Sequence, residues 1–487
     1  MSLHFTDTYS GFTDTYTGSH IGSYTSSYSC ACGRYPTYLW TALAVILATL
    51  WPVPPAAAQT KPLTALATDS VLATTRIINL ENGARAIRAC PTGLKTLTPE
   101  QDSIARRAEM FYFDQFRHSQ DPEAPTFLFM SKSADMLMGI GGVVRMRGWY
   151  EWGGAVLTPA FMPSMIPIPA DPASMRRFGT TPSGTALYFV VLGNSRLGEY
   201  KLYIEANFNG YQSRDFLLKK AYATLGDVTV GYAASTFSDP AALPPTVDAS
   251  GSTNKIGKTD VLVRWMRTFR PGITVAVSAE NPSAAIDCGA ASQTARSSQW
   301  LPDGAAFVQY QWGHGGMEHV RLSGIVRGLP YRDLAASCNR TVAGWGLQLS
   351  SVAHPVPQVT TYATVSYGHG YAGLSNDFAT GNYDLVADPA APGRLYAPAA
   401  YGYNLGVQYN FTPALFVSAS FSQNRYLPSH PVSPDEYRRG WMAAANCFWN
   451  ILPRLQVGAE FMIGRRVNAD HAARMARRIG AMCQYSF

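Results

Sequence analysis

Basic side chains at even spacing are the clearest chemical signal in this sequence. Arg145 and Arg147 are two residues apart in "VVRMRGWY", and Arg321 and Arg327 are six apart in "HVRLSGIVRGL". In an extended chain, an even spacing places both arginines of a pair on one face. Arginine holds a carboxylate or phosphate through two parallel hydrogen bonds, so such a face would attract small anions.

The residue types used in catalysis are not arranged for catalysis here. The sequence has no G-x-S-x-G nucleophile elbow, its 9 histidines are scattered, and no pair has metal-ligand spacing. The stretch "GSTNKIGKT" has five residues between Gly251 and Gly257, whereas a phosphate-binding loop has four, and a strand pattern follows it. We therefore predict a protein that is not an enzyme and that carries no metal and no cofactor.

Strands must position the arginines, because apolar residues recur at every second position from about Ala134 onward. The segments "EYKLYIEANFN" (199–209) and "YGYNLGVQYNF" (401–411) alternate apolar and polar residues throughout. Such alternation requires an apolar surrounding on one side and water on the other. A β-sandwich also provides both, so the alternation by itself leaves that fold open.

The lengths of the connections favour a barrel over a sandwich. About sixteen strands are predicted, and every second connection is tight, as at "RPG" (270–272) and "GHGG" (313–316). Most of the others are long: 151–184, 237–258, 282–303 and 370–399. An even number of antiparallel strands of about ten residues, with short turns on one side only, is typical of outer-membrane barrels. We predict an all-β, transmembrane antiparallel β-barrel of about 16 strands over residues 134–487, in the bacterial outer membrane.

The chain before the barrel has a different character. Residues 1–58 are predicted to be an N-terminal extension and signal peptide cut after Ala58, because the apolar stretch at 38–51 is short and small residues follow it. A membrane anchor is the weaker alternative, since the apolar core is too short to span. Residues 59–133 are predicted to be a periplasmic segment with a short helix that starts at the capping residue Thr98.

The last segment, "RRIGAMCQYSF" (477–487), keeps the alternation up to Phe487. Backbone N–H and C=O groups need partners in hydrocarbon, so this strand is predicted to pair with the first strand and close the sheet. Tyr485 and Phe487 would then lie in the aromatic girdle at the periplasmic rim. The terminal aromatic residue resembles the signal read by bacterial barrel-assembly machinery, which is an expected partner together with outer-membrane lipid.

Strand parity assigns a mainly basic face to the interior of the barrel. The residues predicted to line the pore or bind substrate are Arg145, Arg147, Lys201, Lys219, Arg264, Arg321, Arg327, Arg466, Glu205 and Glu460. Arg478, Asp260 and Glu280 share this face, while parity places Lys220 toward lipid. Basic groups along a narrow aqueous path favour anions, so small anionic solutes are the expected partners. The alternative is that lumenal arginines beside glutamates only stiffen the wall.

The third long loop, "TFSDPAALPPTVDASGSTNKIG" (236–257), is the candidate constriction of the barrel. In a sixteen-stranded barrel this loop is commonly folded inward, and Asp239 and Asp248 could tie it to arginines of the wall. A surface loop that never enters the lumen is the equal alternative.

Four cysteines fall within the predicted barrel. Cys288 and Cys338 lie in neighbouring long-side loops, so a disulfide between them is one of two open alternatives in an oxidising compartment. Cys447 and Cys483 are predicted to face lipid and to remain unpaired.

The formal net charge of +7 is compatible with binding to nucleic acid, anionic lipid or an anionic solute. The sequence lacks a run rich in Lys and Arg and lacks an aromatic RNA-binding motif. We therefore predict no nucleic-acid partner.

Several stretches across roughly residues 134–487 resemble the DcaP-like porins of Gram-negative bacteria. They are "TFSDPAALPPTVD" (236–248), "ENP" (280–282), "HVRLSGIVRGL" (319–329), "GRR" (464–466) and the aromatic terminus. The resemblance implies a trimeric, sixteen-stranded outer-membrane channel for small dicarboxylates, including aromatic diacids. It also implies that Arg321, Arg327 and Arg466 belong to a basic pore. Residues 59–130 have no sustained heptad pattern, so the N-terminal coiled coil of that family is not evident in this sequence.

The predicted function is an outer-membrane porin for passive, anion-preferring diffusion of small solutes, with dicarboxylates expected, in a homotrimer. A plugged structural or adhesive barrel is the main alternative. A hydrolase embedded in a barrel is the weaker one.

Overall fold

The computed structural model describes residues 127–130, 136–154, 159–209, 215–270, 272–289, 293–312, 318–412, 414–452 and 454–487. The predicted signal peptide and the helix predicted from Thr98 lie outside the described residues.

Sixteen antiparallel strands form a closed barrel, which confirms the predicted fold class. The barrel strands are β2 (Met136–Trp152), β4 (Ala186–Ser195), β5 (Gly198–Asn207), β6 (Leu217–Leu225), β7 (Val228–Ala234), β8 (Thr259–Arg270), β9 (Ile273–Glu280), β12 (Asp303–Trp312), β13 (Glu318–Asp333), β14 (Cys338–Val356), β15 (Val359–His369), β18 (Ala399–Asn410), β19 (Leu415–Leu427), β20 (Tyr437–Leu452), β21 (Leu455–Asn468) and β22 (Ala473–Ser486). Their number agrees with the sixteen or so strands predicted from the alternation.

Short elements accompany the barrel and were not predicted, because they carry too little periodicity. The short strands are β1 (Phe127–Met130), β3 (Arg176–Thr181), β10 (Ile286–Asp287), β11 (Thr294–Arg296), β16 (Leu385–Ala387) and β17 (Leu395–Tyr396). Short 3-10 helices lie at Pro163–Met165, Pro172–Ser174, Pro240–Ala242 and Ala372–Leu374.

The two faces of the barrel wall differ in polarity. Outward side chains are apolar and exposed, for example Met146 at 53% and Leu405 at 55%. Inward side chains are largely polar and buried, for example Gln309 at 1% and Asn404 at 0%. An apolar exterior around a polar interior suits a barrel that spans the outer membrane.

The seam of the barrel joins β2 to β22, as predicted. The register runs from Val143↔Ser486 to Trp152↔Arg477. Beyond it, Gly142 and Phe487 exchange two backbone hydrogen bonds of 2.9 Å. On its other edge, β2 pairs with β4 and then with β3, which continues the line of β4. Beyond the end of β22, on the same edge of β2, β1 pairs with residues 137–140. Strand β2 therefore has partners on both sides.

Three long loops fold into the barrel and form much of its core. We call them loop A (153–154 and 159–175), loop B (235–258) and loop C (370–398). Phe161 and Ile166 of loop A are completely buried against side chains of β20 to β22. Phe237 of loop B and Phe378 of loop C lie in one apolar cluster inside the barrel. The described core therefore lies inside the wall, between the loops and the inner face.

Gly142 allows close contact at the seam, and we predict that it cannot be replaced freely. A Cβ at Gly142 would lie 2.8 Å from the Ala186 carbonyl oxygen and 2.8 Å from the Phe487 ring. Overpacking of this kind costs about 1–3 kcal/mol. Gly142→Ala should lower the free energy of unfolding in detergent by that amount, measured by urea titration of the folded barrel band on an unheated gel.

Gly148→Ala is the matched control on the same strand. A Cβ at Gly148 would approach no atom closer than 3.7 Å, so this variant should unfold like the wild type. Equal stability of the two variants would contradict the proposed crowding at the seam.

Candidate functional site

Loop B crosses the interior and bonds to the far wall. Ser323 of β13 donates to the Phe237 carbonyl at 2.9 Å, and Ser418 of β19 donates to the Pro245 carbonyl at 2.6 Å. The Val247 N–H donates to the Asn446 side chain on β20 at 3.0 Å. The sequence left open whether this loop folds inward or stays on the surface. These bonds show that loop B folds inward.

Asp239 anchors the first half of loop B. Its carboxylate lies 2.9 Å from His319 Nε2 and 3.5 Å from Arg321 Nη1, and it accepts a hydrogen bond from Ser350. Burial by itself would raise the pKa of Asp239, but the charge of Arg321 and the bonds from His319 and Ser350 outweigh it, so the pKa is lowered. Asp239 therefore remains ionised inside the barrel.

This anchor brings together the residue types of a hydrolase triad in an order that does not suit catalysis. His319 and Ser350 both contact the same oxygen of Asp239. A general base must lie between the acid and the nucleophile, whereas here the acid lies between the other two. All three side chains are at most 3% exposed, so the cluster is structural.

Asp248 anchors the second half of loop B. Its carboxylate lies 2.6 Å from Arg478 Nη1, and its backbone N–H donates to Glu460 of β21 at 2.9 Å. Arg478 also pairs with Glu151 of β2 at 2.6 Å, and its guanidinium lies 5.1 Å from the centroid of the Trp149 ring. Both loop aspartates therefore contact wall arginines.

Arg327 holds two other inward segments. It pairs with Asp303 at 3.2 Å and with Asp384 of loop C at 2.9 Å. It also donates to the carbonyl oxygens of Ser283 and Gly370. Its side chain is fully enclosed, so it ties loop C and the connection after β9 to the wall.

Arg466 holds loop A in the same way. Its Nη1 donates to the Ser164 carbonyl at 2.7 Å, and Ser164 N–H in turn donates to Asp377 of loop C at 3.0 Å. Burial raises the pKa of Asp377 despite its hydrogen bonds from Tyr437 and Ser164. Loops A and C are therefore joined at this point.

Four of the predicted inward cations thus serve as loop anchors: Arg321, Arg327, Arg466 and Arg478. The first three are the arginines that the resemblance assigns to the pore. Their donors are directed at loop carbonyl oxygens and carboxylates and at wall side chains such as Gln309 and Glu151. This matches the stiffening role that the sequence left open.

Arg145 and Arg147 lie together on the β2 wall. A Cβ at Gly184 would lie 3.0 Å from Arg145 Nη1 and 3.1 Å from Arg147 Nη1, so both guanidinium groups border the same glycine. Gly184 has a φ of +90°, a conformation that favours glycine. Arg145 Nε donates to Gln484 at 2.8 Å, and Arg147 Nη1 donates to the Ser183 carbonyl at 2.8 Å. Both side chains are only half-buried.

A second basic cluster surrounds Glu205 on β5. Lys219 Nζ lies 2.6 Å and Lys220 Nζ 3.6 Å from the Glu205 carboxylate. Both lysines reach it because the β5–β6 register shifts next to Glu205, which corrects the parity that placed Lys220 toward lipid. Lys201 is on the same strand as Glu205, and its Nζ lies 5.6 Å from the centroid of the Tyr222 ring.

The remaining predicted residues lie near the ends of loop B. Arg264 is half-buried and its Nη1 lies 3.5 Å from the Ala234 carbonyl oxygen. Glu280 is buried and accepts the Thr236 N–H at 2.8 Å. Asp260 accepts a hydrogen bond from Asn281 at 3.1 Å.

The disulfide between Cys288 and Cys338 is not formed, and both residues are free thiols. Cys288 packs at the edge of an apolar cluster around Leu329 and Leu385, while Cys338 begins β14 opposite Asp333. Cys338 therefore lies at the tip of the long β13–β14 hairpin. Cys447 and Cys483 are exposed free thiols on the outward face, as predicted.

Some of the charged residues in the interior were missed by the sequence analysis. Glu151 and Asp303 lie on the inward positions of β2 and β12, so the same alternation could have found them. Asp384 and Lys258 lie in loops, where no periodicity indicates which way a side chain points.

The described part of the chain contains no group of three or more His, Cys, Asp and Glu residues placed to hold a metal ion. None of its helices is long and apolar enough to cross a membrane.

The closed sixteen-stranded wall with its apolar exterior defines an outer-membrane β-barrel protein. No family model matches the sequence, and no curated protein matches it.

Solved structures are similar at the level of the fold. The crystal structure of the outer membrane channel DcaP of Acinetobacter baumannii has a TM-score of 0.63 at 19% identity, covering 74% of this chain and 99% of that chain. Outer-membrane expressed OmpT of Vibrio cholerae has a TM-score of 0.47 at 8% identity, covering 74% and 100%. Salmonella typhi OmpF has a TM-score of 0.44 at 9% identity, covering 74% and 100%. The first similarity confirms the DcaP-like fold that the sequence predicts.

The Asp239 anchor should carry much of the stability of loop B. Removing one partner of a buried pair costs about 3–5 kcal/mol, because the other charge stays buried. Asp239→Asn should therefore lower the free energy of unfolding by that amount at neutral pH. Urea titration in lipid vesicles followed by tryptophan fluorescence measures it. The matched control is Asp227→Asn, whose pair with Arg267 is 3.8 Å long and exposed, and which should cost under about 1 kcal/mol. Equal effects would contradict the anchoring role.

The Asp239 anchor should also depend on pH. Because its folded pKa is lowered, its stabilising contribution is present above the unfolded pKa of about 3.9 and is lost as the pH falls toward the folded pKa. The stability difference between wild type and Asp239→Asn should be constant from about pH 8 to pH 5 and shrink below about pH 4. A difference that grows with acidity would show the opposite sign and contradict the lowered pKa.

Proposed function

We propose that this protein is a passive outer-membrane channel that prefers small anions, with dicarboxylates as the expected solutes. The proposal rests on one observation above all. Arg145 and Arg147 are half-buried residues of the inner wall, and their guanidinium groups lie over Gly184. Paired guanidinium groups bind carboxylates through several charge-assisted hydrogen bonds.

The inward loops support a narrow path beside this wall. Loop B is bonded to β13 and to β19 through β22, so it lies across the interior. A solute confined in this way passes close to the charges of the wall, where low dielectric strengthens their effect. The cations around Glu205 add a second basic region on β5 and β6.

The density of loop anchors favours one alternative, a plugged structural or adhesive barrel. Loops A, B and C are all fixed inside the wall by buried ion pairs or hydrogen bonds. A plugged barrel would show no conductance in a lipid bilayer, so the same recording separates it from a channel.

A homotrimer is part of the proposal. Because β2 and β22 close the sheet, contacts between copies would use outward side chains and leave the strand edges paired. The molar mass of the solubilised native protein, measured by light scattering, should then be that of three chains.

Anion preference should depend on the arginines beside Gly184. In a planar bilayer with a KCl gradient, the wild type should give a reversal potential of anion sign. The double variant Arg145→Gln with Arg147→Gln should lower the chloride-to-potassium permeability ratio by roughly fivefold per charge, from about 1 kcal/mol each.

Arg267→Gln is the control, because Arg267 is exposed on the outward side of β8 and pairs with Asp227. It should leave the permeability ratio unchanged. A cation-selective wild type would refute the anion preference. Equal residence times for a dicarboxylate and a monocarboxylate of the same length would refute only the dicarboxylate preference.

A further inference from the structure

Five arginines point outward at the loop end of neighbouring strands, and we call them the arginine row. They are Arg425 on β19, Arg439 on β20, Arg465 on β21, Arg477 on β22 and Arg176 on β3. Each occupies an outward position, because its neighbours along the strand face inward. Arg439, Arg465 and Arg176 are exposed. None of them has a role in the interior.

The strand register brings the row together. Arg425 and Arg439 are direct cross-strand partners. Arg465 lies one diagonal step from Arg439, and Arg477 one diagonal step from Arg465. Diagonal neighbours on one face are about 7–8 Å apart. Arg477 and Arg176 are the two cross-strand partners of Trp152 and complete the row.

The row is not neutralised by the part of the chain that the structure describes. No carboxylate of the described residues forms an ion pair with these five arginines, whereas Arg267 pairs with Asp227 at 3.8 Å and Arg340 with Asp333 at 2.9 Å. Like charges placed directly opposite destabilise a strand pair. An external anion would relieve the repulsion between Arg425 and Arg439.

Aromatic rings lie level with the row and next to it. Trp441 is the cross-strand partner of Arg465, and Trp152 is that of Arg477 and Arg176. Phe421 and Trp441 stack with centroids 5.9 Å apart, and Trp152 lies 6.2 Å from Tyr150 and 6.3 Å from Phe461. Aromatic rings of this kind mark the membrane interface. At the level of the row the outward face is therefore both aromatic and cationic, and it adjoins the apolar face of the wall.

We infer that the arginine row binds the phosphate groups of a phosphorylated lipid in the outer leaflet. The loop end of such a barrel faces outside the cell, because the short turns lie on the periplasmic side. A lipid there has acyl chains beside the apolar face and its headgroup level with the row. Guanidinium groups hold phosphate through paired hydrogen bonds, so both ends of the lipid find complementary groups on one surface.

The test measures binding of the full-length purified protein to bisphosphorylated lipid A carried in phosphatidylcholine nanodiscs. Each arginine near a charged lipid surface contributes about 1 kcal/mol, or roughly fivefold in affinity. The triple variant Arg439→Gln, Arg465→Gln and Arg477→Gln should bind roughly 100-fold more weakly. Replacing the same three residues by lysine should restore part of the affinity, because charge returns without the planar fork.

Arg340→Gln is the matched control at the loop end, since Arg340 already has Asp333 as its partner. It should bind lipid A like the wild type. A heat-modifiable band on a gel shows that each variant is folded, and the single variant Arg465→Gln serves if the triple variant is not.

Four results would overturn the inference. The triple variant could bind as tightly as the wild type, or dephosphorylated lipid A could bind equally well. Inorganic phosphate could compete at the concentration at which the lipid binds, which would indicate a site for free phosphate. A triple variant that loses its oligomeric state but retains its lipid affinity would identify the row as a contact between copies and equally refute lipid binding.

Discussion

The hydrogen-bonded seam between β2 and β22 is the constraint on which the rest of the structure depends. In hydrocarbon no water is available for an unpaired backbone group, so an open sheet edge is not tolerated. The seam runs to Phe487, which exchanges two bonds with Gly142. Where β22 ends, β1 continues along β2, and β3 and β4 cover the opposite edge. Once the wall is closed, alternation fixes which side chains face inward.

Closing the wall creates an interior that the inward charges organise. Buried arginines and carboxylates are costly to desolvate and must be paired with good geometry. Here the pairing is made across segments: Arg321 and Arg478 hold loop B, and Arg327 holds loop C. The same contacts therefore satisfy buried charge and fix the loops inside the barrel.

The basic residues consequently divide into groups with different surroundings. Some are enclosed and act on loops, while Arg145 and Arg147 stay half-buried on the wall beside Gly184. Others, such as Arg439 and Arg465, face outward at the loop end of the barrel. Guanidinium chemistry is the same in each group, and the difference lies in whether the group faces a loop, the interior or the outside of the wall.

The sequence by itself determined the barrel, because two-residue alternation and sorted loop lengths are local properties that a strand carries wherever it lies. All sixteen barrel strands and the orientation of residues such as Arg145 and Arg321 follow from that alternation. Lys220 was misplaced because the register shift beside Glu205 is a property of a strand pair and has no signature in one strand.

Only the tertiary structure decided the partners of the inward cations. Asp384 and Asp248 reach Arg327 and Arg478 from loops without periodicity, across sequence separations of 57 and 230 residues. The Cys288 and Cys338 thiols likewise stay free because each follows its own local packing. Alternation fixes the face on which a residue lies. The partner of that residue depends on how the loops fold inside the closed wall.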